Sequence, residues 1–219
     1  KIDPDTASAH NNYANVLQDQ RKLTSALANY DRAIALDPQY AEAHNNRGDV
    51  LQVMGRLPEA LLSYARALEI SPRYAAAFYN QGNAFGRLGR WREAVESYDQ
   101  ALSITPQYPQ ALMNRGNTLF ELRDNEAAAQ SYSQALSIDP AIPYLAGTLL
   151  HVNMQQCKWA DYRAQLGALL IDLGAHKPAC TPFTLLALTL LPFGVSALDA
   201  KTVCEQLQPV VSQLRTQLP

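Results

Sequence analysis

Proline stands at Pro4, Pro38, Pro72, Pro106 and Pro140, each 34 residues after the one before. A fixed period of this length confines a chain to stacked arrays. Each unit is one supersecondary element that cannot bury its apolar face alone, so neighbours must pack in sequence. Setting the prolines in register aligns Tyr30, Tyr64, Tyr98 and Tyr132. It also aligns Ala26, Ala60, Ala94 and Ala128, then Ala33, Ala67, Ala101 and Ala135. Gly48, Gly82 and Gly116 form a further column, with Ala14 in the first unit. Asn12, Asn46, Asn80 and Asn114 form another.

Each unit reads as helix A, a short turn, helix B and a proline-ended linker. The third helix B is expected from Trp91 to Ile104 and stops at Thr105-Pro106. Proline cannot continue a helix and disfavours helical geometry in the residue before it. Gly55 and Gly89 fall at the A–B turn, where a left-handed backbone costs glycine least. The small column is expected to pair Gly48 with Ala60, Gly82 with Ala94 and Gly116 with Ala128, so that A and B approach closely. The tyrosine column, with Leu17, Leu51, Phe85 and Leu119, then fills the space between hairpins.

The pattern Gly82…Phe85…Ala94…Tyr98…Ala101…Pro106 resembles the tetratricopeptide (TPR) motif. The resemblance covers four repeats, 7–40, 41–74, 75–108 and 109–142. It implies an all-α, right-handed superhelix of helical hairpins with a helical C-terminal extension. The sequence departs from the motif near the start of helix A, where His10, His44, Phe78 and Leu112 stand. These read as packing positions. A metal pair formed by the two histidines would have to span about a helix diameter, ~10 Å, so no metal and no cofactor is expected. Residues 1–6 match Leu36-Asp37-Pro38 and read as the end of a truncated preceding repeat.

After Pro140 the pattern decays. Residues 143–176 read as a degenerate capping repeat, with helix A over Tyr144 to Gln156 and helix B over Trp159 to Leu173. Residues 177–219 read as a linker and C-terminal helices. The stretch 183–193 is apolar nearly all round and predicts self-association, or docking to a further domain. The segment Cys157-Lys158-Trp159-Ala160-Asp161-Tyr162 resembles the junction of O-GlcNAc transferase-like, SPINDLY-type glycosyltransferases, which lies between their TPR array and the catalytic domain. That resemblance implies a substrate-recruiting role for the repeats. The alternative is a stand-alone assembly hub with no enzyme attached.

Apolar residues make up 47% of the chain and charged residues 17%, which suits a sizeable core. The net charge is −2 with both signs mixed, so a nucleic-acid surface is not expected. The longest apolar run, Phe183 to Leu198, is broken by Pro192 and Gly194 and is too short to span a membrane. Three cysteines without a CxxC pair argue against a disulfide framework or zinc site and for a reducing, cytoplasmic setting. No HExxH, GxSxG or P-loop occurs. Gly82, Gly86 and Gly89 fall at repeat positions rather than in a phosphate loop. The chain is therefore expected to bind rather than to catalyse.

The candidate binding residues lie on helix A. Asn12 with Asn15, Asn46 with Asp49, Asn80 with Asn83 and Asn114 with Asn117 are each three apart and share a helix face. Asparagine costs a helix about 0.6 kcal/mol relative to alanine, so the columns call for a reason. An amide both donates and accepts, and a ladder of them in a concave groove can hold the backbone of an extended protein or peptide client. The competing reading is that the first asparagine column bonds between neighbouring repeats. The adjacent column, Asn11, Asn45, Tyr79 and Met113, holds no basic residue, which disfavours a clamp for a C-terminal carboxylate.

Overall fold

The computed structural model describes residues 6–156, together with Ala164, Gly167 and Ala168. Within them lie nine helices and no strand: α1 (Ala7–Asp19), α2 (Leu23–Leu36), α3 (Ala41–Val53), α4 (Leu57–Ile70), α5 (Ala75–Arg87), α6 (Trp91–Ile104), α7 (Pro109–Glu121), α8 (Asn125–Ile138) and α9 (Leu145–Gln155). The fold is all-α. The chain divides into two compact units, 1–122 and 123–219. In the first, α1 packs on α2, α3 on α4 and α5 on α6, and each B helix also packs on the next A helix. Alternate helices α1, α3, α5 and α7 touch along the stack. In the second, α8 packs on α9. No helix among the described residues is long and apolar enough to cross a membrane.

Local chemistry sets the helix ends. Thr6 Oγ1 accepts the Ala9 N–H at 3.2 Å, and Asp124 Oδ1 accepts the Ala127 N–H at 3.1 Å, each satisfying an orphan donor of a first turn. Helices B end as the prolines require. Asp37, Ser71, Thr105 and Asp139 all leave helical geometry, with φ between −129° and −136° and ψ between 85° and 95°. Each directly precedes a proline, whose ring excludes the α conformation there. The A–B turns are left-handed, at Gly55 (φ 79°) and Gly89 (φ 71°). The first and fourth repeats make the same turn with Arg21 (φ 61°) and Arg123 (φ 66°), so hairpin geometry overrides side-chain preference.

The alanine columns are wholly buried between helices, and Tyr30 and Tyr64 are buried with them. Tyr30 packs with Ala14, Leu17 and Ala26 of its own hairpin and with Val50 of the next. Tyr64 does the same with Leu51, Ala60 and Ala84. The glycine column serves a different contact from the glycine–alanine pairing expected. A Cβ at Gly48 would stand 2.4 Å from Tyr64 Cε1, and one at Gly82 would stand 2.6 Å from Tyr98 Cε1. The absent side chains make room for the ring of the opposing helix B, and the nearest neighbours are tyrosines rather than Ala60 or Ala94. The expected helix B at Trp159 to Leu173 and the elements of 177–219 lie outside the described residues, apart from Ala164, Gly167 and Ala168, which are helical.

Candidate functional site

The two polar columns of helix A have separate structural duties. The second column meets the tyrosine of its own hairpin. The Tyr30 hydroxyl donates to Asn15 Oδ1 at 2.5 Å, Tyr64 to Asp49 Oδ1 at 2.7 Å and Tyr98 to Asn83 Oδ1 at 2.8 Å. A buried phenol needs such an acceptor. The first column reaches back one repeat. Asn46 Nδ2 donates to Asn11 Oδ1 at 3.1 Å and Asn15 Oδ1 at 3.3 Å. Asn80 Nδ2 donates to Asn45 Oδ1 at 3.1 Å. Asn114 Nδ2 donates to Asn83 Oδ1 at 2.9 Å and to the Tyr79 hydroxyl at 3.2 Å. Asn12, at the start of the stack, is exposed, as is Asn117.

These bonds show what the ladder is made of. The column Asn11, Asn45 and Tyr79 supplies acceptors alongside Asn15 and Asn83, and the sequence showed it only as lacking basic residues. Asn11 and Asn45 are buried, which an amide tolerates when its groups are paired. Asn114→Ala should therefore destabilise the array by about 0.5–2 kcal/mol, the loss of a part-buried hydrogen bond outweighing alanine's better helix propensity. Urea melts of the single variant test this, and a raised midpoint would remove the inter-repeat bond from the account.

The same bonds decide what the amides can offer a ligand. Asn83 Oδ1 already accepts from Tyr98 and from Asn114, and Asn15 Oδ1 from Tyr30 and from Asn46. Both lone pairs are used, so the outward-facing capacity of these amides is their N–H donors. Asp49 is the exception in its column. Its carboxyl is largely enclosed, and burial pushes its pKa up to about 6, partly offset by the Tyr64 hydroxyl bond. In return, burial and the Asp49 charge hold the Tyr64 phenol well above its ordinary value.

Between α3, α5 and α7 the A helices enclose a groove of about 410 Å³. Gln52, Asn83, Gly86, Arg87, Tyr98, Asn114, Asn117 and Thr118 line it. Thus Asn83, Asn114 and Asn117 are gathered in one groove, while Asn12, Asn15, Asn46, Asp49 and Asn80 are not among its lining. Arg87 is a groove residue that the asparagine columns did not reveal. It lies four residues after Asn83, one helical turn on, and that spacing was the available signal. Its Nη1 donates to the Gln52 carbonyl oxygen at 2.5 Å, in the last turn of α3, where the same oxygen also accepts the Gly55 N–H at 3.1 Å. Gly86 opens the floor of the groove: a Cβ there would meet only Trp91, at 3.9 Å.

The histidines are packing groups. His10 Nδ1 lies 3.1 Å from Asn29 Oδ1, and His44 Nε2 lies 3.2 Å from the Pro38 carbonyl oxygen. Burial lowers the His44 pKa. No cluster of three or more His, Cys, Asp or Glu that could hold a metal occurs among the described residues.

Three family models match the chain: two described as tetratricopeptide repeat, over 79–143 and 39–107, and one described as TPR repeat, over 15–55. Among curated proteins there is no significant match. Several solved structures share the fold. MamA is 15% identical with a TM-score of 0.69, over 80% of this chain and 98% of that one. PilF of Pseudomonas aeruginosa is 23% identical with a TM-score of 0.69, over 81% and 79%. YrrB, described as a TPR protein with an unusual peptide-binding site, is 22% identical with a TM-score of 0.62, over 74% and 83%.

Proposed function

Because the chain belongs to the tetratricopeptide-repeat family, we propose that it is a protein-interaction scaffold that holds an extended segment of a partner protein in the groove between α3, α5 and α7. The observation that carries this reading is the groove itself. It runs across three successive A helices, and within it Asn83 has its carbonyl oxygen engaged by Tyr98 and Asn114 and its N–H groups left as donors, one turn from the Arg87 guanidinium. Side-chain donors in such a groove suit the carbonyl oxygens of an extended backbone, which recur whatever the side chains. The peptide-binding site named for YrrB supports the same class of ligand.

Gly86→Phe tests the reading without touching the inter-repeat bonds. Phe120 occupies the equivalent position in the fourth repeat, so the helix accepts an aromatic there. The open space at Gly86 receives the ring, and Gly86 lies in the last turn of α5, where phenylalanine is a somewhat better helix former than glycine. Panning a displayed library of random nonapeptides is expected to yield binders to the wild-type chain. Gly86→Phe should melt no lower and bind the selected peptides at least ~10-fold more weakly, because one blocked central pocket dominates such an interface. Equal binding by the folded variant would place the site elsewhere.

The finer assignment, a substrate-recruiting region of an O-GlcNAc transferase-like protein, is supported by the recurring helix A asparagines and by the Cys157–Tyr162 segment, which lies outside the described residues. A reading frame that continues past Pro219 into an α/β domain would favour it over a stand-alone hub. Docking or self-association through 183–193 and a cytoplasmic setting are proposals of the same kind.

A further inference from the structure

We infer that Arg87 seats a carboxylate side chain, Asp or Glu, from the interior of the partner's extended segment, so that the groove selects acidic clients. The inference rests on the groove reading above and adds a chemistry to it. Three observations lead to it. First, the part of the groove formed by α5 is rich in donors. Asn83 turns its oxygen to Tyr98 and Asn114, which leaves its N–H groups, and Arg87 stands one turn further along the same helix. Second, Arg87 belongs to none of the ion pairs among the described residues. Arg47, Arg56, Arg66, Arg90 and Arg115 each hold a carboxylate of Asp31, Glu59, Glu69, Glu93 and Asp99 respectively. Third, the guanidinium is positioned without being consumed. One nitrogen is bound to the Gln52 carbonyl, and a planar group with five donors retains a fork for a carboxylate.

The repeat pattern marks this as a local device. Arg87 shares its column with Asp19, Val53 and Glu121, so the positive charge appears once along the four helices. A ligand read here is held at one register, with Arg87 fixing which residue sits over α5. A free C-terminus is not required, because the contact is to one side chain rather than to a chain end.

The test selects nonapeptides from a randomised library displayed without a free C-terminus, using wild type, Gly86→Phe, Arg87→Glu and Arg87→Lys. Binders lost by Gly86→Phe define the groove set. The expected result is Asp or Glu enriched at one fixed position of that set with wild type and with Arg87→Lys, and Lys or Arg enriched there with Arg87→Glu. An amidated synthetic peptide from the wild-type set should bind Arg87→Gln about 5–20-fold more weakly, a range expected for one partly exposed, charge-assisted contact. That difference should shrink in 1 M salt. Circular dichroism confirms that each variant is folded. A groove set with no acidic position, or one unmoved by Arg87→Glu, overturns this inference and leaves the scaffold reading intact. The absence of any set sensitive to Gly86→Phe overturns both.

Discussion

Gly82→Leu is expected to destabilise the first unit by about 3 kcal/mol or more, and Gly82→Ala by about 1–2 kcal/mol. The first added carbon would stand 2.6 Å from Tyr98 Cε1 and 2.8 Å from its Cδ1. The ring cannot swing aside, because it is 3% exposed and its hydroxyl is tied to Asn83. Relief must come from moving α5 against α6, and overpacking of that kind costs about 1–3 kcal/mol before the rest of a leucine is accommodated. Alanine's better helix propensity returns up to about 1 kcal/mol, which is why the smaller substitution costs less. A double-mutant cycle isolates the contact. With Tyr98→Ala in place the obstruction is gone, and adding Gly82→Ala should become neutral or stabilising in urea melts. A Gly82→Ala cost that persists unchanged in that background would exclude the tyrosine ring as its cause.

Asp49→Asn is expected to stabilise the chain at pH 7, by up to about 3 kcal/mol, and to leave stability unchanged near pH 3. In the unfolded chain an aspartate titrates near ~3.9, and in the fold Asp49 titrates at about 6. Below the lower value it is protonated in both states and contributes no difference. Between the two, the native state keeps a proton that the unfolded chain has released, so stability falls as pH rises. Above the upper value the full cost of an enclosed carboxylate is felt. Asparagine removes that charge and keeps the acceptor for Tyr64, as Asn15 and Asn83 do for their tyrosines. The gap between variant and wild type should open between about pH 4 and pH 6. A gap independent of pH would show that Asp49 is ionised in the fold at its ordinary value.

The two outcomes bear on different parts of the protein. The glycine test concerns how a hairpin closes. The aspartate test concerns a helix A column whose members are uniform in geometry and not in charge. If Asp49 is neutral in part of the population near pH 6, that column is nearly uncharged from α1 to α7, and the positive charge of Arg87 dominates the polar groove.

Much of the architecture was legible because a repeat multiplies each local signal. Helix B of the third unit occupies Trp91–Ile104 as expected, since Thr105-Pro106 can neither continue a helix nor be preceded by helical geometry. Gly55 and Gly89 take left-handed turns where the pattern put them. The columns of alanine and tyrosine marked the buried faces correctly. The glycine column was also recognised as a close contact, and its partner was misassigned. Spacing along one helix gives the face a residue occupies, and the residue opposite depends on how two helices are rotated about their axes.

Hydrophobic periodicity and chain-breaking residues act within a few positions, so among the described residues the sequence by itself determined the helices, their order and their pairing. Tertiary structure decided the use of the polar residues. Asn46, Asn80 and Asn114 find acceptors 31 or 35 positions away, and only packing brings those atoms within 3.3 Å. That Asn83 keeps its N–H groups while its oxygen is filled follows from those bonds, and so does the donor-rich character of the groove at α5. Asp49 and Asn83 are interchangeable in pattern, yet enclosure by neighbours raises the pKa of one and leaves the other an amide with its oxygen filled. Arg87 joined the site because three A helices converge around it, a relation between distant segments that no window of sequence contains.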